Sequence, residues 1–345
     1  MAKKYKVIDL FAGAGGMTQG FHMAGFDSTL AIDFDKDSCL TYKKNFPNTE
    51  IICEDITKVD NEKILSIVGK DVDIIIGGPP CQGFSALGKQ LKNDPRNRLW
   101  KEYLRIVRLL SPKVWIMENV PELLSSQEFE EVRKATSELG YHIETKILNA
   151  ANYGVPQRRQ RAIVIAAKKT GLKHPSPTHT DSKGQTLFTD TQKPWVTVKE
   201  AFAGFPGKPD GKNWHTERKP TELSQKRYKA VPSGGNRFDL PDELLPDCWR
   251  NKPTGSTDVF GRLWWDKPSL TVRTEFYKPE KGRYLHPTED RPITLREGAR
   301  LQTFPDNFEF VGSQTSVGRQ IGNAVPCNLA YNIALTVKEF LEANY

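Results

Sequence analysis

Cysteine is scarce and scattered in this chain of 345 residues: Cys39, Cys53, Cys81, Cys248 and Cys327 are its five cysteines. None forms a CxxC pair, so neither a disulfide framework nor a zinc site is supported. Long apolar runs are missing too. Stretches such as AIVIAA at 162–167 are far too short to span a bilayer. The opening MAKKYKVIDLF has two lysines and only a brief apolar stretch before charge and glycine, unlike a secretory signal. A cytoplasmic protein with no membrane partner and no bound metal is expected. No internal repeat is visible, and the dinucleotide fingerprint GxGxxG is absent, which argues against an NAD-linked oxidoreductase.

What is present fits a globular chain: 37% hydrophobic and 27% charged residues, enough for one large or two ordinary domains. The net charge of +8 permits a polyanionic partner without requiring one. Over the first 170 residues strand and helix signals alternate. KYKVIDLF, STLAIDFD, TEIICEDI, VDIIIGG, PKVWIMENV and RAIVIAA read as strands. GGMTQGFHMAG, KDSCLTYKKNF, RNRLWKEYLRIVRLL and FEEVRKATSELG read as helices. That order predicts an α/β fold, a doubly wound and mostly parallel sheet with helices on both faces. From about residue 171 proline, glycine, lysine and threonine rise, and five of the seven tryptophans fall between Trp195 and Trp265. A second, smaller, loop-rich domain is expected there. TLREGARLQTF then reads as a short helix with a threonine cap, and GNAVPCNLAYNIALTVKEFLEAN as one helix returning to the first domain.

Chemistry-bearing residues gather at the predicted strand tips, where open α/β sheets bind ligands. Gly13, Gly15 and Gly16 follow the first strand and allow a close backbone approach. Asp33, at the second tip, can accept both hydroxyls of a ribose, and Asp55, at the third, lies within reach of an adenine. Either acid alone can equally cap the next helix; together after a glycine loop they favour an adenosine cofactor. GGPPCQGFS at 77–85 puts Cys81 behind two prolines at the fourth tip. A buried structural thiol needs no such setting, whereas a thiolate nucleophile in a crevice does. Glu118, at the fifth tip, can donate to a ring nitrogen when protonated, or serve as a cap. QRRQR at 157–161 supplies Arg159 and Arg161, alternate residues able to point one way, though such a run also suits a solvated face or a phosphate clamp.

These residues carry a pattern. DLFAGAGGMTQGF, AIDFD, EDIT, GGPPCQGFSALGK, ENVPELL, YGVPQRRQRAIVI, RPITLREGARLQTFPDNF and QIGNAVPCNLA occur in that order along the chain. In them the chain resembles the DNA (cytosine-5)-methyltransferase family. The resemblance implies the S-adenosylmethionine-dependent methyltransferase fold and S-adenosyl-L-methionine as methyl donor. By that match Phe11, Ala12, Gly13, Gly16, Asp33, Phe34, Asp55, Ile56, Pro80, Leu99, Asn323 and Val325 line the cofactor pocket. Phe34 stands where the family often has a larger aromatic ring. Cys81 would attack C6 of the cytosine, Glu118 donate to N3 and Arg161 hold O2, with Arg159 orienting nearby groups. The loop from Gln82 to Asn97 would close over a flipped-out base, with Gln82, Ser85, Lys89 and Arg96 on the DNA.

The resemblance further implies double-stranded DNA as partner and a nucleoid-associated setting. Residues 1–180 are expected to form the catalytic and cofactor domain, completed by 315–345, with 181–314 as target-recognition domain and hinge. Basic and aromatic residues there suit phosphate anchoring and groove contacts. A monomer is expected, because one chain holds both chemistry and reading surface. A restriction–modification setting would add an endonuclease that shares the DNA site without a stable complex. A transfer-RNA methyltransferase is the nearest rival, disfavoured by GFS after PPCQ and by the long unmatched stretch at about 180–270. A regulatory homologue without activity is disfavoured because every expected catalytic residue is present.

Overall fold

Three consecutive isoleucines, Ile74–Ile76, can all be buried only in a strand covered on both faces. The computed structural model builds that environment; it describes residues 5–80, 99–181, 192–205, 208–251 and 254–345. Cys81, Gln82, Ser85, Lys89 and Arg96 lie outside the described residues. Strands β1 (Lys6–Leu10), β2 (Asp27–Asp33), β3 (Glu50–Cys53), β4 (Ile74–Gly77), β5 (Val114–Asn119), β6 (His142–Asn149) and β7 (Gln160–Ala167) form one sheet. Its order is β3-β2-β1-β4-β5-β7-β6. Neighbours are parallel except around β7, which is antiparallel to both β5 and β6.

Period-two alternation sorts the strand residues between two cores. Val7, Ile74, Ile76, Val114, Ile116, Ile163 and Ile165 share one face with α1 (Gly16–Met23) and the C-terminal helix. Ile8, Leu10, Ile75, Trp115, Met117 and Val164 share the other. That face is covered by α3 (Asn61–Val68), α4 (Leu99–Leu110) and α5 (Gln127–Glu138), while α2 (Lys36–Asn45) follows β2. Tyr103, Ile106 and Leu110 of α4 are buried, as their helical spacing predicts.

The structure differs from the expected order in three features: helix α3 and the edge strand β6 are additional, and β7 reverses direction. The connection from Asn149 to Gln160 contains only a single helical turn, Ala150–Tyr153. That is too little for the crossover a parallel pair needs, so an antiparallel pair results.

After β7 the described elements are short: β8 (His179–Thr180), β9 (Lys193–Pro194), α6 (Val198–Ala201), α7 (Glu222–Ala230), α8 (Asp247–Arg250), β10 (Gly261–Arg262) and β11 (Arg283–Leu285). Then come α9 (Leu295–Leu301), α10 (Gln314–Asn323) and α11 (Cys327–Asn344). Thr294 caps α9 in a capping box with Glu297. The single terminal helix expected from Gly322 onward is instead broken: α10 ends at Asn323 and α11 starts after Pro326, because proline lacks the donor to continue a helix. Helix α11 packs on α1 in the first core.

A third core joins Ala12, Ala14, Tyr42 and Phe46 to Val272, Phe276, Leu301, Phe304 and Ile321. A fourth, small one gathers Tyr228, Val231, Leu240, Phe260 and Leu285.

Candidate active site

The chain leaves β1 through a strained turn. Phe11 has φ 58°, Gly13 φ 54° and Gly15 φ 89°, a run in the left-handed region that favours glycine. A Cβ on Gly13 would meet nothing within 4 Å, whereas one on Gly16 would lie 2.6 Å from the Val325 carbonyl oxygen. The first glycine therefore faces open space and the second seats the 324–325 segment. Gly13 donates its amide to Asp33 Oδ2 at 2.8 Å, and Asp35 donates to Oδ1 at 2.8 Å. Burial raises the Asp33 carboxyl above its ordinary range against these two donors. Each oxygen still has lone-pair capacity for a further donor. The next residue, Phe34, is 71% exposed, an unusual state for a phenyl ring beside a polar cleft.

Asp55 is less committed. Its Oδ1 accepts from the Thr57 amide at 3.0 Å and hydroxyl at 2.9 Å, the capping role that its position also allowed. Ile56 is buried in the α3–α4 core, and Phe11 and Leu99 pack at its edge. Val325 is buried; Asn323, two residues earlier at the end of α10, is exposed. Thus Gly13 is bonded to Asp33 at the end of β2, and Gly16 packs against the 324–325 segment. The fit to an adenosylated cofactor is good: open space over a glycine, an amide-braced carboxylate for a diol, and an exposed ring for stacking.

The reversal of β7 has a functional result. An antiparallel strand begins where β5 ends, so Arg161 arrives beside the tip of β5. Its Nε lies 2.8 Å from Glu118 Oε1, both side chains largely buried. A Cβ on Gly78 would sit 3.0 Å from Glu118 Oε2, so glycine leaves room for that carboxylate. Asn119, quoted in the sequence motif but given no role, donates Nδ2 to the Pro79 carbonyl at 2.9 Å and accepts the Val120 amide on Oδ1. It thereby fixes the backbone that leads through Pro80 to Cys81. No periodicity signals such a bond.

Arg159 is placed differently from Arg161. It is buried, its Nη1 and Nη2 donate to the carbonyls of Val272 and Gly322 at 3.1 Å each, and its Nε has no hydrogen-bond partner among the described residues. Desolvation, together with the nearby Arg161 charge, lowers its pKa. It ties three segments together beneath Arg161 and so acts on the site by position.

The second half of the chain holds more arginines of this kind. Arg262 donates to the carbonyls of Val231, Tyr228, His286 and Glu289. Arg296 donates to those of Asn213, Pro305 and Phe308. Arg291 makes a buried bidentate pair with Glu297 at 2.8 and 2.7 Å. These guanidinium groups serve as internal bonds for a loop-rich region with a small apolar core. Among the described residues no cluster of His, Cys, Asp and Glu is placed to hold a metal ion, and no helix is long and apolar enough to cross a membrane.

A family profile described as C-5 cytosine-specific DNA methylase matches residues 5–339. The chain belongs to that family. The type II methyltransferase M1.HphI of Haemophilus parahaemolyticus is 37% identical over 96% of this chain and 86% of its own length. The type II methylase M.HgiDII of Herpetosiphon aurantiacus is 33% identical over 97% of this chain and 96% of its own. Among solved structures, a prophage-encoded protein of E. coli described as a DNA modification methyltransferase superposes with a TM-score of 0.68 at 28% identity, covering 98% of this chain and all of that one. The methylase is thus a methyltransferase acting on cytosine C5 in DNA, built on a seven-stranded, mostly parallel sheet.

Proposed function

We propose that the methylase modifies one cytosine within a short duplex motif, flipped into the crevice, as the modification half of a type II restriction–modification system. The observation that supports this best is the Glu118–Arg161 pair, 2.8 Å apart, at the end of the backbone that Asn119 anchors to Pro79. A cytosine ring presents N3 and O2 side by side. A protonated Glu118 can donate to N3 while Arg161 donates to O2, and both draw charge from the ring. Cys81 thiolate then adds to C6, and the electron pair it displaces makes C5 nucleophilic. S-Adenosyl-L-methionine, when bound, supplies an electrophilic methyl group at its sulfonium. Loss of the C5 proton to a base and expulsion of the Cys81 thiolate restore the aromatic ring. The proton that Glu118 gave to N3 on addition returns to Glu118 in the same step, which regenerates the acid.

Asp33, Gly13, Phe34, Asp55 and the 323–325 segment hold the cofactor, and Gln82, Ser85, Lys89 and Arg96 contact the DNA. Residues 1–180 with 315–345 carry the chemistry, and 181–314 read the sequence. The names of the relatives favour the restriction–modification setting, in which an endonuclease shares the site without binding this chain. The methylase acts as a monomer at the nucleoid. A transfer-RNA substrate is less supported, because the matching family is one of DNA methylases.

Tritiated S-adenosylmethionine with mixed-sequence duplex, and with transfer RNA in parallel, tests the proposal. Label is expected in the duplex alone, mapping to one short motif. Cys81→Ser is expected to abolish transfer while isothermal titration still shows S-adenosylhomocysteine binding. Label confined to RNA, or full transfer by Cys81→Ser, overturns the reading.

A further inference from the structure

The loop-rich second half contains two exposed segments, 232–239 and 254–258, that are bonded to each other through buried side chains. Arg283, on β11, is buried. Its Nη1 donates to the carbonyls of Gly234, Gly235 and Arg262 at 2.8, 2.9 and 2.7 Å, and its Nη2 donates to that of Thr257 at 2.8 Å. The guanidinium lies 4.0 Å from the ring centroid of Trp264, which presses against Gly234; a Cβ there would be 2.4 Å from Trp264 Nε1. A second bond reinforces the first: Arg237 Nη2 donates to the Thr254 carbonyl at 2.8 Å. Gly255, at φ 131°, leaves the room this requires, since a Cβ would come within 2.9 Å of Arg237 Nη2. Asn236 and Asp239 close the first segment with a capping box.

These bonds are made by buried groups, and what they hold in place is exposed. Ser233, Phe238, Thr254, Ser256 and Thr257 all face solvent. The exposed carboxylate of Asp239 accepts the Asn236 amide at 2.7 Å. The result is a braced platform of four hydroxyls, one 45%-exposed phenyl ring and one carboxylate, with no exposed lysine or arginine in either segment. A phosphate-binding surface would show lysine and arginine instead. Neutral donors and acceptors with an apolar contact are what base edges and thymine methyl groups require. Discrimination by such groups depends on holding them at fixed positions, because each freed segment adds ordering cost and alternative contacts.

We propose that segments 232–239 and 254–258 form one base-reading surface for duplex DNA, and that Arg283 is the positioning residue that sets its sequence discrimination. This rests on the reading of the chain as a duplex-DNA methylase. Lysine cannot reproduce the bonds, since a single ammonium cannot span four carbonyls as a planar fork does.

The test is bisulfite sequencing of a duplex library that carries the wild-type motif and all its single-base variants. The readout is the ratio of methylation at the motif to methylation at the variants, which does not depend on how much of the enzyme is folded. Arg283→Lys and Phe238→Ala are each expected to lower that ratio by about tenfold or more, the scale of one lost base contact. Arg296→Lys, which disturbs a comparable buried arginine bonded to Asn213, Pro305 and Phe308, is expected to lower the melting temperature and leave the ratio as in wild type. An unchanged ratio in Arg283→Lys overturns the positioning role. An unchanged ratio in Phe238→Ala, an exposed site that decides the matter even if the arginine variant does not fold, overturns the reading surface. Wild-type protein that labels no duplex refutes the methylase reading itself.

Discussion

Asp9, on β1 just ahead of the glycine loop, is a fully buried carboxyl. Thr18 donates its hydroxyl to Asp9 Oδ2 at 2.6 Å; Thr18 Oγ1 lies 2.8 Å from the Tyr42 hydroxyl, which lies 3.0 Å from Ser28 Oγ. With Thr18 donating to Asp9, a consistent chain runs Ser28 to Tyr42 to Thr18 to Asp9. Burial, only partly offset by the Thr18 bond and reinforced by Asp33, pushes the Asp9 carboxyl up to about 7. The unfolded carboxyl titrates near about 4, so between these values the folded chain holds a proton that the unfolded chain has lost. This contribution to stability is complete below about pH 4 and is lost as pH rises through 7. Asp9→Asn keeps the shape and removes the titration. Relative to wild type, its melting temperature should therefore rise steadily between about pH 5 and 8. A constant difference over that range would show that Asp9 is already ionised in the fold. Asp9 also marks the limit of reading by residue. The tip residues Asp33 and Glu118 were legible because strand ends are where ligands bind. The roles of Asp9, Asn119 and Arg159 depend on partners 9, 40 and 113 or more positions away, which no local pattern encodes.

Helices α1 and α11 cross at a glycine. A Cβ on Gly20 would lie 2.5 Å from both Ala330 Cβ and the Cys327 carbonyl oxygen, and 2.6 Å from the Tyr331 amide nitrogen. Two of these are backbone atoms of α11 and cannot swing aside. Glycine inside a helix costs about 1 kcal/mol relative to alanine, and a valine would recover only part of that. Overpacking costs about 1–3 kcal/mol, and more where the backbone must move. The second effect is the larger, so Gly20→Val is expected to destabilise the methylase by about 2 kcal/mol, read as a lower urea midpoint at unchanged slope. Stability equal to wild type would mean that the two helices can separate freely. At this scale the first half of the chain was readable: β1, β2, β4, β5, α2 and α4 announce themselves by apolar runs, caps and proline stops. The reversal of β7 was not, because a buried run such as AIVIAA looks the same in either direction. The break between α10 and α11 is signalled by Pro326 but masked by the apolar face that continues across it.

Across the whole molecule, the sheet and the loop-rich second half share a core. Tyr42 of α2 and Phe46, which follows it, pack with Val272, Phe276, Phe304 and Phe308. Polar bonds follow the same seam. Gln157, buried before β7, accepts the Val272 amide at 2.8 Å and donates to Gln302 at 2.8 Å, while Arg159 holds the Val272 and Gly322 carbonyls. The fourth core contains five buried residues, too few to support a folded unit against its chain entropy. The second half therefore depends on the sheet for its stability, although its composition suggests a separate body. Five of the seven tryptophans lie between Trp195 and Trp265, so tryptophan fluorescence reports mainly on the second half, whereas far-UV circular dichroism reports mainly on the sheet and its helices. The two urea transitions are expected to coincide. Arg159→Met strands two buried carbonyls and should move both to lower urea together, by about 2–3 kcal/mol. Separate midpoints in the wild type, or a shift of the fluorescence transition alone in the variant, would mean that the reading half folds independently and that the seam does not set its orientation over the crevice.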